Sequence, residues 1–362
     1  MKDGPHPAPR PCPHRQRRGR ARARSGAFLT GAFTLLLAVP ASAAGASSLQ
    51  QKLESIARKV PGALRVAVLD LDRGTRVAIR GDEPAPMASV FKLPLAVAVL
   101  RRTQEQGIPL ALPVHVRWED RNPGWSPLAQ RVPREGLALS IEALLEATVS
   151  ESDNTAADVL LRWMDGPPEV MRILRRLGVG GIHIARSERA LALDLWGLEP
   201  PRAPEPLEEL LKRMEGVPKE RRLEAMKRFA EDARDTATPS ALVELLSALQ
   251  AGRLLDPGHA TKLLELLRST QTGAEQLRAG LPPGVVLAHK TGQIRGVGDS
   301  VLVLNDVGIA TGNGRRLALA VMLTDVDAPL DRCQAITADV ARTVWSELGA
   351  APAPDSGTPA RR

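Results

Sequence analysis

Ser89 and Lys92 stand three residues apart in Met87-Ala88-Ser89-Val90-Phe91-Lys92-Leu93-Pro94. On a helix that spacing puts both side chains on one face, a few ångströms from each other. An amine beside a hydroxyl can take its proton and make the oxygen a nucleophile, provided the amine is neutral or relayed through another base. Residues 93–100 are apolar on every face, which predicts a buried helix. Pro94 is compatible only with a helix that starts near Ser89. The hydroxyl then lies at an N-terminus, where free N–H groups and the helix dipole favour developing negative charge. Alone the pair is common, about one or two chance occurrences in a few hundred residues. The same two residues also serve as a helix cap and a snorkelling lysine.

Two more triplets could share the chemistry. Ser152-Asp153-Asn154 opens a helix predicted from residue 155, and Lys290-Thr291-Gly292 ends a strand predicted over 285–289. His115, His183, His259 and His289 are scattered without the spacing of a metal site, so no metal is expected.

The elements that must position these groups follow from periodicity. Residues 47–59 read as a short helix. Residues 64–70 and 75–79 alternate as two strands around the turn Asp72-Arg73-Gly74, a hairpin. From about 140 to 280 the patterns are helical, with clear stretches over 141–148, 155–163, 169–177 and 241–249. Strands return over 285–289, 300–304 and 317–323, with Gly312-Asn313-Gly314 as a hairpin signal before the last. A final amphipathic helix covers 335–348. Strands at both ends with helices between predict one antiparallel sheet made by the two termini, flanked by helices, with an all-helical half inserted and the site between the two. The expected layout is a sheet half from 44–86 and 283–349 and a helical half from 87–282. Residues 350–362, rich in Pro, Ala and Gly, read as a flexible tail.

The N-terminal stretch has the form of an export signal. Residues 1–24 carry seven Arg, one Lys and one Asp; an uncharged apolar run follows over 27–39, then Ala41-Ser42-Ala43, a small-x-small cleavage site. The expected signal peptide is 1–43, too short for a confident membrane span, and the product is expected in the periplasm or secreted. Arg17-Arg18 leaves the general and twin-arginine routes both open. The net charge of +8 is mostly this leader: without it the chain has 41 basic and 40 acidic residues. A nucleic-acid or acidic-membrane partner loses its main support. Only Cys333 remains, so no intramolecular disulfide is possible.

Taken together, S-x-x-K, S-D-N and K-T-G in this order are the set of class A β-lactamases and penicillin-binding proteins. The chain resembles a class A serine β-lactamase from about residue 47 to 349. Supporting matches are Glu151 to Ala157 around S-D-N, Trp125-Ser126-Pro127 at the aromatic gatekeeper position, and Arg278-Ala279-Gly280-Leu281-Pro282 ahead of the K-T-G strand. Arg186-Ser187-Glu188 is similar to the R-x-E of the Ω loop, and Asp235-Thr236-Ala237-Thr238-Pro239 to the D-T-x-T-P that closes it. The resemblance implies the β-lactamase/transpeptidase-like fold, no cofactor, and a small-molecule β-lactam as the partner of a monomer conferring β-lactam resistance. It implies Ser89 as the nucleophile, with backbone N–H groups of Ser89 and Gln293 as the oxyanion hole. Lys92 is implied as the near base, Glu188 as the base that acts through water, and Ser152 as the proton relay to the leaving nitrogen. Asn154 would bind the substrate's side-chain amide, Lys290, Thr291 and Gly292 its carboxylate end, and Trp125 would flank the cleft. Arg186 and Asp235 would form the ion pair that clamps the Ω loop.

Three departures stand out. The family usually has Asn four residues after the Glu, helping to hold the deacylating water; here it is Ala192, leaving Asp194 or a backbone carbonyl to substitute. The enlarged Ω loop, about 183–236, carries an insertion over 199–232 of charged, amphipathic sequence with a break at Gly216-Val217-Pro218. The Arg that often assists carboxylate binding has no assigned position in this sequence, with Arg295 as a candidate. Two alternatives share the nucleophile. One is a D-alanyl-D-alanine carboxypeptidase or other penicillin-binding protein, which lacks the deacylating Glu. The other is a β-lactam sensor that acylates and deacylates slowly. The absence of Tyr from all 362 residues excludes the Tyr-based middle motif of class C enzymes and their peptidase relatives.

Overall fold

The computed structural model describes residues 41–201, 205–298 and 300–349, with side chains from residue 47. The expected tail over 350–362 and all but the last three residues of the expected signal peptide lie outside the described residues. Helix α1 (Ala41–Ala57) begins six residues before the predicted start, because Ala41-Ser42-Ala43-Ala44-Gly45-Ala46 is rich in the strongest helix former.

Both ends of the chain build one antiparallel sheet. Its order is β2 (Arg76–Ile79), β1 (Ala63–Asp70), β9 (Arg315–Val326), β8 (Val301–Gly312), β7 (Val286–Arg295). Strand β1 pairs with β9 from Ala63 opposite Thr324 to Asp70 opposite Leu317. Alternation splits the side chains between two layers. Val66, Val68, Leu319 and Val321 pack toward α1 and α12 (Leu330–Leu348). Ala67, Leu69, Ala318, Ala320 and Met322 face the helices between the strands. At the β8–β9 turn, Asn313 and Gly314 have φ of +52° and +68°, the left-handed pair that a two-residue hairpin needs.

Two strands differ from the sequence expectation. Lys290-Thr291-Gly292 does not end its strand: β7 runs on to Arg295, paired with β8 throughout, with Gly292 opposite Asn305. Strand β8 extends to Gly312 rather than stopping at 304. Asn305, Asp306 and Gly308 hide it by breaking the apolar pattern. Each is buried for a reason: Asn305 Nδ2 donates to the carbonyls of Pro86 and Met87 (2.9 Å each). Asp306 accepts from the backbone N–H of Leu277 (3.1 Å) and pairs with the His289 ring (2.7 Å). A Cβ on Gly308 would meet the Ala288 carbonyl at 2.5 Å.

The central helix α2 (Lys92–Gln106) is preceded by a 3₁₀ turn (Ala88–Phe91). Leu93 and residues 95–100 are fully buried. Around α2 pack α3 (Ile141–Val149), α4 (Asn154–Trp163), α5 (Pro167–Arg176), α9 (Pro239–Gln250) and α10 (Pro257–Arg268), with the short α11 (Leu277–Gly280) before β7. The Ω region contributes α6 (Glu188–Trp196), then α7 (Leu207–Glu215) and α8 (Lys219–Ala230), separated at Gly216-Val217-Pro218 as expected. Two strand pairs had no clear sequence signal: β3 (Ala85–Pro86) with β6 (Thr236–Ala237), and β4 (Pro113–Val116) with β5 (Leu137–Ser140). The first ties the chain just before Ser89 to the end of the Ω region.

Candidate active site

Ser89 lies in the 3₁₀ turn at the entrance to α2, one turn before the buried Lys92. Lys92 Nζ donates to Ser89 Oγ (3.0 Å), and Ser89 Oγ donates to Glu188 Oε1 (3.1 Å). The lysine also lies 3.0 Å from that carboxylate. Nucleophile, amine and carboxylate therefore touch one another, although the last comes from a segment 99 residues away. Ala88, just before the serine, has φ +45°, a left-handed conformation that costs a non-glycine residue on the order of 1–3 kcal/mol.

Lys92 reaches further, donating to Ser152 O (2.8 Å), Asn154 Oδ1 (2.5 Å) and, at 3.5 Å, Ser152 Oγ. Lys290 Nζ donates to Ser152 Oγ from the other side (2.8 Å). With two lysine nitrogens donating to it, the Ser152 oxygen keeps its own hydrogen free to donate. Ser152 holds this position in a left-handed conformation, φ +60°. Asp153 caps α4 through the N–H of Ala156 (2.8 Å) and accepts from Ser126 Oγ and the N–H of Leu128, fastening the Trp125 loop to the triplet. Burial in apolar surroundings, then the nearby Lys92 charge, hold the Lys290 pKa well below the usual lysine range, against the pull of Glu188 and Asp306. Thr291 Oγ1 meets Thr272 Oγ1 at 2.5 Å. Gly292 is packed against the serine turn: a Cβ there would come within 2.6 Å of the Met87 carbonyl and 3.1 Å of the Ser89 nitrogen. That approach brings Gln293 beside the turn.

Glu188 is the first residue of α6, capped by Ser187 Oγ, which accepts from the N–H of Ala190 (3.1 Å). Arg186 donates to Asp235 (2.6 Å), as expected, and also to Asp194 (2.6 Å) and Asp232 (3.0 Å). Asp194 is therefore engaged in the clamp, where Arg234 also holds it (3.1 Å), and does not line the cleft. Arg234, then its own backbone and Arg186, push the Asp232 pKa down to about 2 against partial burial.

The sequence reading missed the residue that seats Glu188. Asp158 on α4 accepts from the N–H groups of Glu188 (2.7 Å) and Arg189 (2.9 Å) and from Asn122 Nδ2 (3.0 Å). Burial of its carboxylate, then the Glu188 charge, push its pKa up to about 7, against these three hydrogen bonds. Its only signal was its place one turn after Asn154.

These groups open into a cavity of about 700 Å³. Ser89, Ser152, Asn154, Glu188, Thr291, Gly292 and Gln293 all line it; Lys92 and Lys290 lie beneath its floor, fully buried. Trp125 flanks it, 65% exposed, with its indole N–H on the Glu151 carbonyl (2.9 Å). Arg295 stands exposed at the rim. Gln276 also lines the cavity; its buried amide oxygen finds no partner among the described residues. Ala192 faces the cavity beside Leu191, Leu195 and Trp196, and the insertion supplies Leu211, Met214 and Glu215.

A family model described as the β-lactamase enzyme family matches residues 48–348. The chain is similar to the β-lactamase of Streptomyces fradiae, 31% identical over 86% of this chain and 90% of the relative. It is also similar to β-lactamase VEB-1 of Pseudomonas aeruginosa, 26% identical over 86% of this chain and 94% of the relative. Among solved structures, an ancestral class A β-lactamase aligns with a TM-score of 0.66 at 30% identity, covering 82% of this chain and 99% of that one.

Proposed function

The chain belongs to the β-lactamase enzyme family as a class A member, and on that premise we propose that it hydrolyses the lactam amide of penicillins and cephalosporins through an acyl-enzyme on Ser89. The contact that carries this reading is the triangle of Ser89, Lys92 and Glu188. In that triangle the serine hydrogen has a carboxylate to go to, while the lysine acts as donor. The oxygen attacks the lactam carbonyl carbon and its proton passes to Glu188. Backbone N–H groups of Ser89 and Gln293 receive the oxyanion. The carbon–nitrogen bond breaks and Ser152 gives its hydrogen to the leaving nitrogen. It is re-protonated from Lys92, which already contacts it, and Glu188 returns the serine proton to Lys92 across 3.0 Å, which leaves a free carboxylate for the next step. Lys290 and Thr291 bind the substrate carboxylate, and Asn154 the side-chain amide. Deacylation repeats the chemistry with water: Glu188 takes a proton as the oxygen attacks the ester, and Ser89 recovers its hydrogen as the acid leaves.

Export and a role in β-lactam resistance belong to the same proposal. They rest on the expected leader at 1–43. Among the described residues no helix is long and apolar enough to cross a membrane.

Intact mass and absorbance, followed together after mixing with a chromogenic cephalosporin, test the assignment. Rapid colour with a transient adduct is expected. Glu188→Gln, which removes the base of both half-reactions, should slow adduct formation and leave whatever adduct forms on Ser89 long-lived. A lasting adduct on the unmodified protein would instead indicate a slow-deacylating sensor, the outcome that Ala192 keeps open. No adduct and no colour would overturn the proposal.

A further inference from the structure

We propose that α7 forms the end wall of the substrate cleft and selects β-lactams whose acylamino substituent is bulky and apolar. This rests on the reading of the site given above.

The cleft has two ends. At one, Thr291 and Thr272 meet each other and Gln276 is buried beside them. That end is polar and carries the groups for a carboxylate. The other lies beyond Asn154, whose backbone N–H is held by the Trp125 carbonyl (3.0 Å). A substrate amide bound at Asn154 directs its substituent there. Among the apolar side chains that line the cavity are Leu195 and Trp196 of α6, Leu211 and Met214 of α7, and the exposed ring of Trp125. They form an apolar chamber with Glu215 as the one acid that α7 adds.

The wall is fastened on both sides. Met214 and Leu210 pack against Leu193 and Trp196 on α6. At the opposite end of α7, Glu208 accepts two hydrogen bonds from Arg121 (2.8 and 2.9 Å), on the segment leading to Trp125. Arg189 of α6 binds the Arg121 carbonyl (2.9 Å) and the Glu205 carbonyl (2.7 Å), closing the circuit. Leu211 is nevertheless 39% exposed. A large side chain in open water, on a helix pinned at both ends and facing a cleft, has apolar surface left to bury. A substituent with an aromatic or branched group covers it; a small one leaves it wet.

The test compares benzylpenicillin with 6-aminopenicillanic acid, which has the same bicyclic core and no acyl substituent. In Leu211→Ala, the ratio of kcat/KM for benzylpenicillin to that for 6-aminopenicillanic acid should fall about tenfold, mainly through a higher benzylpenicillin KM. Leu211→Glu, which sets a charge against the substituent, should lower the ratio further. A general loosening of the cleft slows both substrates together and leaves the ratio unchanged. An unchanged ratio in both variants overturns the proposal. Hydrolysis of neither compound by the unmodified protein would instead overturn the assignment beneath it.

Discussion

The nucleophile depends on a carboxylate whose own position is set by another carboxylate. Ser89 is expected to be indispensable: Ser89→Ala should give no adduct in intact mass spectra with any β-lactam, because no other hydroxyl contacts both Lys92 and Glu188 among the described residues. Asp158 makes a subtler prediction. Its folded pKa of about 7 lies above the ordinary 3.8. The folded protein therefore holds a proton that the unfolded chain releases between about pH 4 and pH 7. Stability from this group is fully present below pH 4, falls across that window, and is level above it, with a slope of at most about 1.4 kcal/mol per pH unit. In Asp158→Ala this component disappears, so the difference in unfolding free energy between the two proteins should vary with pH over 4–7. Urea melts at a series of pH values check it; a constant difference would contradict it. Ser89, Lys92, Ser152 and Lys290 were legible because their spacing belongs to a known set. Asp158 was not, since an Asp inside an amphipathic helix reads as solvated until the fold brings the Glu188 and Arg189 backbone onto it.

Two elements carry the site, and each offers a lever. The Ω region hangs on Arg186, which serves three carboxylates. In Arg186→Ala the buried Asp235 loses its cation, a loss that costs about 3–5 kcal/mol when one partner of a buried pair is removed. Acylation and deacylation should both slow, because Glu188, the base in each, lies two residues from the clamp. Thermal melts and single-turnover mass spectrometry separate the two effects. Strand β7 offers the second lever. Gly292→Ala would push a methyl into the Met87 carbonyl and spread β7 from the serine turn. A displacement near 1 Å at reacting groups costs about a hundredfold in rate, so kcat/KM should fall by that order with the melting temperature much less affected. Elements with a clean period were readable in advance: the hairpin of β1 and β2, α3, α4 and the break between α7 and α8. Strand β8 was cut short because Asn305, Asp306 and Gly308 are strand-breakers in sequence, and their reasons for being there lie on other segments.

For the molecule as a whole, the single cysteine beyond the expected leader is buried in the layer between the sheet and α12. Among the described residues no covalent staple holds the two ends together. The melting temperature of a chain lacking residues 1–43 is therefore expected to be the same with and without dithiothreitol; a drop of several degrees would contradict this. The sheet has another consequence, for the order of events when the chain is made. Ser89 and Lys92 emerge early from the ribosome, but β1, already paired with β2, cannot find its second neighbour until β9 has been synthesised, since Ala63 pairs opposite Thr324. Lys290 arrives only with β7. Such distant pairings are slow, because the loop must close before any contact rewards it. The helices between can fold around α2 well before the sheet closes. A nascent or truncated chain would thus hold its nucleophile without a complete cleft, and the first turnover would mark the moment at which both ends of the polypeptide have met.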